Sequence, residues 1–145
     1  WPLVGALSVR GLNLFSRAAL SMAVSKPERM TPAVRSGYLA PYDNWDHRIA
    51  VHRFIEDIPL RRSHPSYTEL TRIEEGLAGL RDRPMLLPWG MQDWCFTPHF
   101  LREFQDRFPN AESLELPDAG HYVFEDAHER ILPRARDFLL RHPVA

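Results

Sequence analysis

The pattern that most restricts the fold lies in the second half of the chain, where helical and strand patterns alternate. Helical spacing runs through residues 66–80, and the short apolar run at residues 84–90, bounded by turn residues, is typical of a buried strand. A helical pattern from Thr97, alternating residues over 111–116 and a last helix after Gly120 follow in that order. The succession helix, strand, helix, strand, helix predicts an α/β fold with two parallel strands flanked by helices.

Capping residues and prolines indicate where these elements begin, end or bend. Ser66 with Glu69 fits a capping box, and Thr97 before a proline is a typical helix start. Pro88 lacks the N–H for a ladder bond, so the first strand must end there or lie near the sheet edge. Pro133 is expected to bend the last helix.

The N-terminal part of the chain is predicted to be helical throughout. Residues 3–24 indicate a mostly covered helix, and residues 44–58 form an amphipathic pattern that ends before Pro59. We therefore divide the chain into a helical segment, residues 1–62, and an α/β segment, residues 63–145.

Two strands are too few for a stable sheet between helices, since three or more are normally needed. The α/β segment is therefore expected to be cut from a larger sheet. Residue 1 is Trp rather than Met, so we expect a processed chain or a fragment whose N-terminal targeting signal would not be visible.

Composition excludes several classes of function. With 18 Lys+Arg against 19 Asp+Glu, the net charge of −1 offers no basic face for nucleic acid. No window approaches the roughly 18 apolar residues of a membrane span. The single cysteine, Cys95, allows neither an internal disulfide nor a cysteine metal cluster, which favours a reducing compartment, the cytoplasm. We predict no metal site.

Two polar residues directly follow the predicted strands and are the first candidates for catalysis. Asp93 follows the first strand and His121 the second, and neighbouring parallel strands would bring their loops together. A carboxylate that accepts the proton of one imidazole nitrogen fixes the tautomer and stabilises the imidazolium, which leaves the other nitrogen to act as general base. The pair would form the acid and base of a triad.

Alternatives exist for each candidate. Asp118 is a rival acid, although its position three residues before His121 favours a turn role, and Asp93 could itself be a turn aspartate. Cys95 lacks the helix N-terminus or neighbouring cation that activates a thiol nucleophile. The aromatic residues that flank the pair would pack in the core or line an apolar pocket for substrate; they are Trp94, Phe96 and Tyr122.

Gly-x-x-Asp after one strand and Ala-Gly-His after the next resemble the C-terminal part of an α/β-hydrolase, preceded by its helical cap. More narrowly, RGLNLF (10–15), GYLAPYDNWDHRIAVHRFIEDIPL (37–60) and GMQDW (90–94) are similar to haloalkane dehalogenase-like proteins, and most closely to the β-lactone decarboxylase group of bacterial olefin synthesis. The resemblance covers nearly the whole chain. In this superfamily the order along the chain is nucleophile, acid, histidine, which gives the acid role to Asp93 and the base role to His121.

The resemblance implies a carboxylate nucleophile, a small apolar substrate and no metal or organic cofactor. Decarboxylation of a β-lactone to an alkene is the implied reaction, with haloalkane or epoxide hydrolysis as alternatives and other enzymes of an olefin pathway as protein partners. Residues 1–145 contain neither a Gly-x-Ser-x-Gly nor a Gly-x-Asp-x-Gly elbow, so we expect the chain alone to be inactive. The remaining alternative is a non-catalytic module, truncated or associating through an exposed sheet edge.

Overall fold

The structure, a computed structural model, describes the backbone of residues 2–143 and the side chains of residues 4–143. Trp1 and the last two residues, which bound the predicted segments, lie outside the described residues. The elements in chain order are α1 (Pro2–Ala6), a π-helical turn (Leu7–Gly11), α2 (Leu14–Met22), a 3₁₀ turn (Pro27–Arg29), α3 (Pro32–Leu39), a 3₁₀ turn (Ala40–Tyr42), α4 (Ile49–Asp57), α5 (Tyr67–Gly76), a 3₁₀ turn (Leu77–Leu80), β1 (Leu86–Gly90), α6 (Pro98–Arg107), β2 (Glu112–Leu116) and α7 (Val123–Arg141).

The chain divides into two compact units. The first contains the residues up to Met22 together with Met30–Leu77, and its described part is helical. The second contains Ala23–Arg29 and the residues from Ala78 onward, which include both strands, α6 and α7. The predicted boundary between cap and core, between residues 62 and 63, was placed from the sequence pattern rather than from compactness. It stays a prediction.

The two strands pair in parallel, as the alternation of elements predicted. Their register runs from Leu86 opposite Glu112 to Gly90 opposite Leu116, and α6 makes the crossover between them. The expectation that β1 would end at Pro88 is wrong, because β1 continues through it to Gly90. Pro88 lies opposite Leu114 in the described two-stranded sheet, and the alternative expectation, a position near the sheet edge, stays a prediction.

The core of the second unit lies at the carboxyl end of β2. Leu116, the last residue of this strand, is fully buried against Ala119, Ala127 and Ile131. Burial of these side chains anchors the start of α7 against the end of the strand. The loop that carries His121 therefore has a fixed point on each side.

The predicted helix over residues 3–24 is wrong in its continuity and its burial. It is broken at Asn13, whose φ of 53° is left-handed, a conformation that asparagine tolerates better than most residues. The Asn13 side chain donates to the Tyr42 carbonyl, 3.2 Å away, which holds the break in place. Leu7 and Leu14 are exposed rather than covered.

Other local predictions also need correction. The helix predicted from residue 44 begins only at Ile49, after a series of turns. Ser66 is the N-cap of α5, but its hydroxyl donates to the Asp57 carboxylate instead of closing a capping box. Thr97 likewise precedes α6 without a side-chain capping bond. Inside α7, non-helical dihedrals occur at Ala127, and the bend expected at Pro133 stays a prediction.

Within residues 2–143, no helix combines the length and the apolar character that crossing a membrane requires.

An ion-pair network joins the start of β2 to the end of α7. The guanidinium of Arg141 binds the Glu112 carboxylate in a bidentate manner at 2.7 and 2.8 Å, and Arg134 contacts the same carboxylate at 2.6 Å. The hydrogen bond from Arg141 is the main reason that the pKa of Glu112 lies below its usual value.

We expect Glu112→Gln to lower the thermal unfolding midpoint modestly at pH 7 and by less near pH 3. A depressed folded-state pKa stabilises the protein above the unfolded pKa of about 4.5, and this contribution is lost as the pH falls through the folded value. Circular dichroism melts at both pH values measure the difference. Glu115→Gln, an exposed position on the same strand, is the matched control, and an equal loss at both pH values would contradict the prediction.

Candidate active site

The loops that follow the two strands are joined by backbone hydrogen bonds. The N–H of Met91 donates to the Leu116 carbonyl at 3.0 Å, and the N–H of Gln92 donates to the Ala119 carbonyl at 2.9 Å. The Gln92 side chain adds a bond to the Pro117 carbonyl at 3.0 Å. These bonds fix the two loops side by side at the carboxyl ends of the strands, where ligands of open α/β sheets bind.

Asp93 and His121 form a hydrogen-bonded pair in this position. His121 Nδ1 lies 2.9 Å from Asp93 Oδ2, although the residues are 28 positions apart in the chain. The Asp93 side chain is 8% exposed and that of His121 is 30% exposed. The structure thus brings together the two residues that the sequence placed after the strands, and their catalytic roles stay predictions.

The other carboxylate oxygen of Asp93 is held by its own loop. Oδ1 accepts the backbone N–H groups of Cys95 at 2.8 Å and Phe96 at 2.9 Å. These two bonds orient the carboxylate so that Oδ2 faces the imidazole. With His121 donating from Nδ1, Nε2 is the nitrogen available for proton transfer.

The alternative candidates for the acid and the nucleophile, Asp118 and Cys95, have surroundings that differ from those of the Asp93–His121 pair. Asp118 is half exposed and pairs with Lys26 at 2.6 Å and Arg130 at 2.8 Å. The hydrogen bond from Lys26 is the main reason that the pKa of Asp118 lies below its usual value. Cys95 is an exposed free cysteine, and its contribution to the pair is the backbone N–H rather than the thiol.

Two of the three predicted aromatic residues have ring contacts with His121. The Phe96 ring lies 5.4 Å from the imidazole, and the Tyr122 ring stacks on it at 6.0 Å, both measured between centroids. The Trp89 indole donates to the Phe96 carbonyl at 2.8 Å and fixes that residue's backbone. Trp94 is 59% exposed. A substrate-binding role for the three aromatic residues stays a prediction.

The close approach of the two loops requires a glycine at the end of β1. A Cβ at Gly90 would lie 2.2 Å from the Gly120 carbonyl oxygen and 2.7 Å from that of Ala119. Both neighbours are backbone atoms, so no side chain can move aside. Gly90 therefore allows the His121 loop to lie directly on the strand end.

Asp126, which is fully buried near His121, was not among the residues predicted from the sequence. Its carboxylate accepts backbone N–H groups from Gly120, Ser25 and Lys26. The available signal was the acidic pair Glu125–Asp126 in the first turn of α7, which by itself indicates only favourable interaction with a helix dipole. The sequence around Asp126 gives no indication of its contacts with Ser25 and Lys26, which lie about 100 positions upstream.

The described side chains contain no group of three His, Cys, Asp or Glu residues placed to hold a metal ion.

Comparison with known proteins identifies a family and several relatives. Residues 12–128 match the family model described as the alpha/beta hydrolase fold. The chain is 44% identical over 144 residues to the cis-3-alkyl-4-alkyloxetan-2-one decarboxylase of Xanthomonas campestris pv. campestris, a match that covers 99% of this chain and 47% of that relative. It is 33% identical over 112 residues to haloalkane dehalogenase 2 of Mycobacterium tuberculosis, covering 72% and 38% of the two chains.

A solved structure shares the fold. The haloalkane dehalogenase DbeA-M1 loop variant from Bradyrhizobium elkanii superposes with a TM-score of 0.85 at 22% identity, over 97% of this chain and 46% of that one. The chain thus spans about half the length of the relatives that it matches. The predicted family resemblance is confirmed by the model that matches most of the sequence and by the relatives. This chain belongs to the α/β-hydrolase family.

Proposed function

We propose that this chain supplies the acid, Asp93, and the base, His121, of a triad in an α/β-hydrolase that decarboxylates a β-lactone to an alkene. The observation that carries the proposal is the 2.9 Å hydrogen bond between His121 Nδ1 and the buried Asp93 carboxylate. The reaction is suggested by the relative that is 44% identical, because an oxetan-2-one is a β-lactone.

In the proposed mechanism, Asp93 holds the imidazole in one tautomer and stabilises its protonated form. His121 then handles the proton steps through Nε2 after a nucleophile has attacked the substrate. The nucleophile would come from the part of the protein that corresponds to the uncovered half of the relatives, since residues 1–145 contain no nucleophile elbow.

Apolar side chains near the pair suit a substrate with alkyl chains. The rings of Phe96 and Tyr122 contact the imidazole and would exclude water from the reacting atoms.

Hydrolysis of a haloalkane is the second candidate. It is supported by the 33% identity to a haloalkane dehalogenase and uses the same acid and base. The two reactions differ in the groups that bind the leaving halide, and these groups are expected beside the nucleophile.

A chimera tests the proposal directly. This chain would replace the matching 47% of the Xanthomonas campestris relative, and the product would be assayed with a cis-3,4-dialkyl-β-lactone and with a 1-haloalkane. We expect alkene, measured by gas chromatography, and no halide release. A folded chimera that forms no alkene would contradict the proposed roles of Asp93 and His121 and would support the non-catalytic module. The unmodified relative is the positive control.

A further inference from the structure

We propose that Asp126 is a positioning residue that holds the loop bearing His121, a role that rests on the proposed function of His121 as the base. Asp126 has no place in the acid–base pair. It lies in the first turn of α7, its side chain is fully buried, and it is five positions beyond His121.

The Asp126 carboxylate binds two separate segments at once. Oδ2 accepts the N–H of Gly120 at 2.7 Å and that of Ser25 at 2.9 Å, and Oδ1 accepts the N–H of Lys26 at 3.0 Å. The Lys26 ammonium also donates to the Asp126 backbone carbonyl at 2.9 Å. One buried anion therefore joins the residue before His121 to a segment 100 positions upstream.

The upstream segment holds the residue on the other side of His121. The N–H of Tyr122 donates to the Ala23 carbonyl at 2.7 Å. A Cβ at Gly120 would lie 2.9 Å from Ser25 Oγ and 3.0 Å from the Ala23 carbonyl oxygen, so the contact is close. The backbone is thus fixed on both sides of His121. The imidazole can therefore change its position only by rotation about its own side-chain bonds.

The charge of the carboxylate matters as well as its shape. All three partners of its oxygens are N–H donors, so both oxygens must accept. In Asp126→Asn, one oxygen becomes an NH₂ group that faces a donor. The N–H of Lys26 loses its partner if this group replaces Oδ1, and those of Gly120 and Ser25 lose theirs if it replaces Oδ2. Glutamate keeps the acceptors and adds one methylene, which makes Asp126→Glu the conservative variant.

The test observes the imidazole in the 145-residue chain by ¹⁵N nuclear magnetic resonance, with His121 assigned by the loss of its signals in His121→Gln. We expect the wild type to show one neutral tautomer protonated at Nδ1. Asp126→Asn should populate both tautomers and speed amide exchange by about tenfold or more at whichever of Gly120, Ser25 and Lys26 loses its acceptor, since a hydrogen bond is lost. Asp126→Glu should largely restore the wild-type pattern.

Two control variants lie on the same helix. Asp137→Asn removes an exposed carboxylate, and Ile131→Val destabilises the buried core without touching the carboxylate contacts. Both should leave the His121 tautomer unchanged.

A folded Asp126→Asn variant with wild-type imidazole signals would overturn the proposal. Failure of both Asp126 variants to fold would also overturn it, because the role would then be structural only. The readout needs no turnover, so a folded chimera that forms no alkene, together with His121 signals that respond to Asp126, would reject the proposed function and leave the positioning role standing.

Discussion

His121→Ala reduces turnover by about 10⁴-fold or more in any catalytically competent protein that contains this chain, while the fold stays intact. The effect is large because the proposed mechanism gives every proton step to this imidazole. Folding should tolerate the change, since the side chain is 30% exposed and lies in a loop held by its backbone neighbours. The measurements are kcat/KM for the β-lactone and circular dichroism of both proteins.

His128→Ala is the matched control for that experiment. His128 lies on α7 with its side chain exposed and its Nδ1 3.2 Å from the Phe124 carbonyl oxygen. Its removal should leave turnover unchanged. If His121→Ala retains activity within tenfold of the wild type, His121 is not the base.

Gly90→Ala lowers the free energy of unfolding by roughly 3 kcal/mol, the upper part of the usual range for overpacking. A methyl group here would lie 2.2 Å from the Gly120 carbonyl oxygen, so either the end of β1 or the His121 loop must move. Urea unfolding measures the loss. We also expect turnover to fall in an active protein, because movement of Gly120 displaces the adjacent imidazole.

A second glycine provides the control for Gly90→Ala. Gly76 ends α5, and a Cβ there would have no atom within 4 Å apart from its own chain neighbours and the backbone of its helix. Gly76→Ala should therefore stabilise the chain slightly, by roughly 0.4–1 kcal/mol, through the unfolded state. Equal effects of the two substitutions would show that the close approach at Gly90 has no energetic consequence.

The parallel strands and the Asp93–His121 contact could be predicted because their signals are local. Apolar runs bounded by turn residues mark the strands, and each polar residue follows a strand directly. The loops that follow neighbouring parallel strands lie side by side. The contact between Asp93 and His121 could therefore be predicted from these two positions alone.

The remaining features depend on contacts between distant positions. The break at Asn13 is stabilised by the Tyr42 carbonyl, and the Ser66 hydroxyl prefers the Asp57 carboxylate to its own helix. Helical spacing contains no information about either partner. The role of Asp126 was hidden for the same reason, because its donors Ser25 and Lys26 lie about 100 positions upstream.

The separation between Ser25 and Asp126 also affects the order of folding. Their bond closes a loop of 101 positions, and the entropy of closing such a loop must be overcome before the contact contributes stability. The helices and the β1–α6–β2 crossover, by contrast, need only nearby residues. We therefore expect the backbone around His121 to reach its final geometry late, after the sheet has formed. The orientation of the imidazole would then report completion of folding rather than the local propensity of its loop.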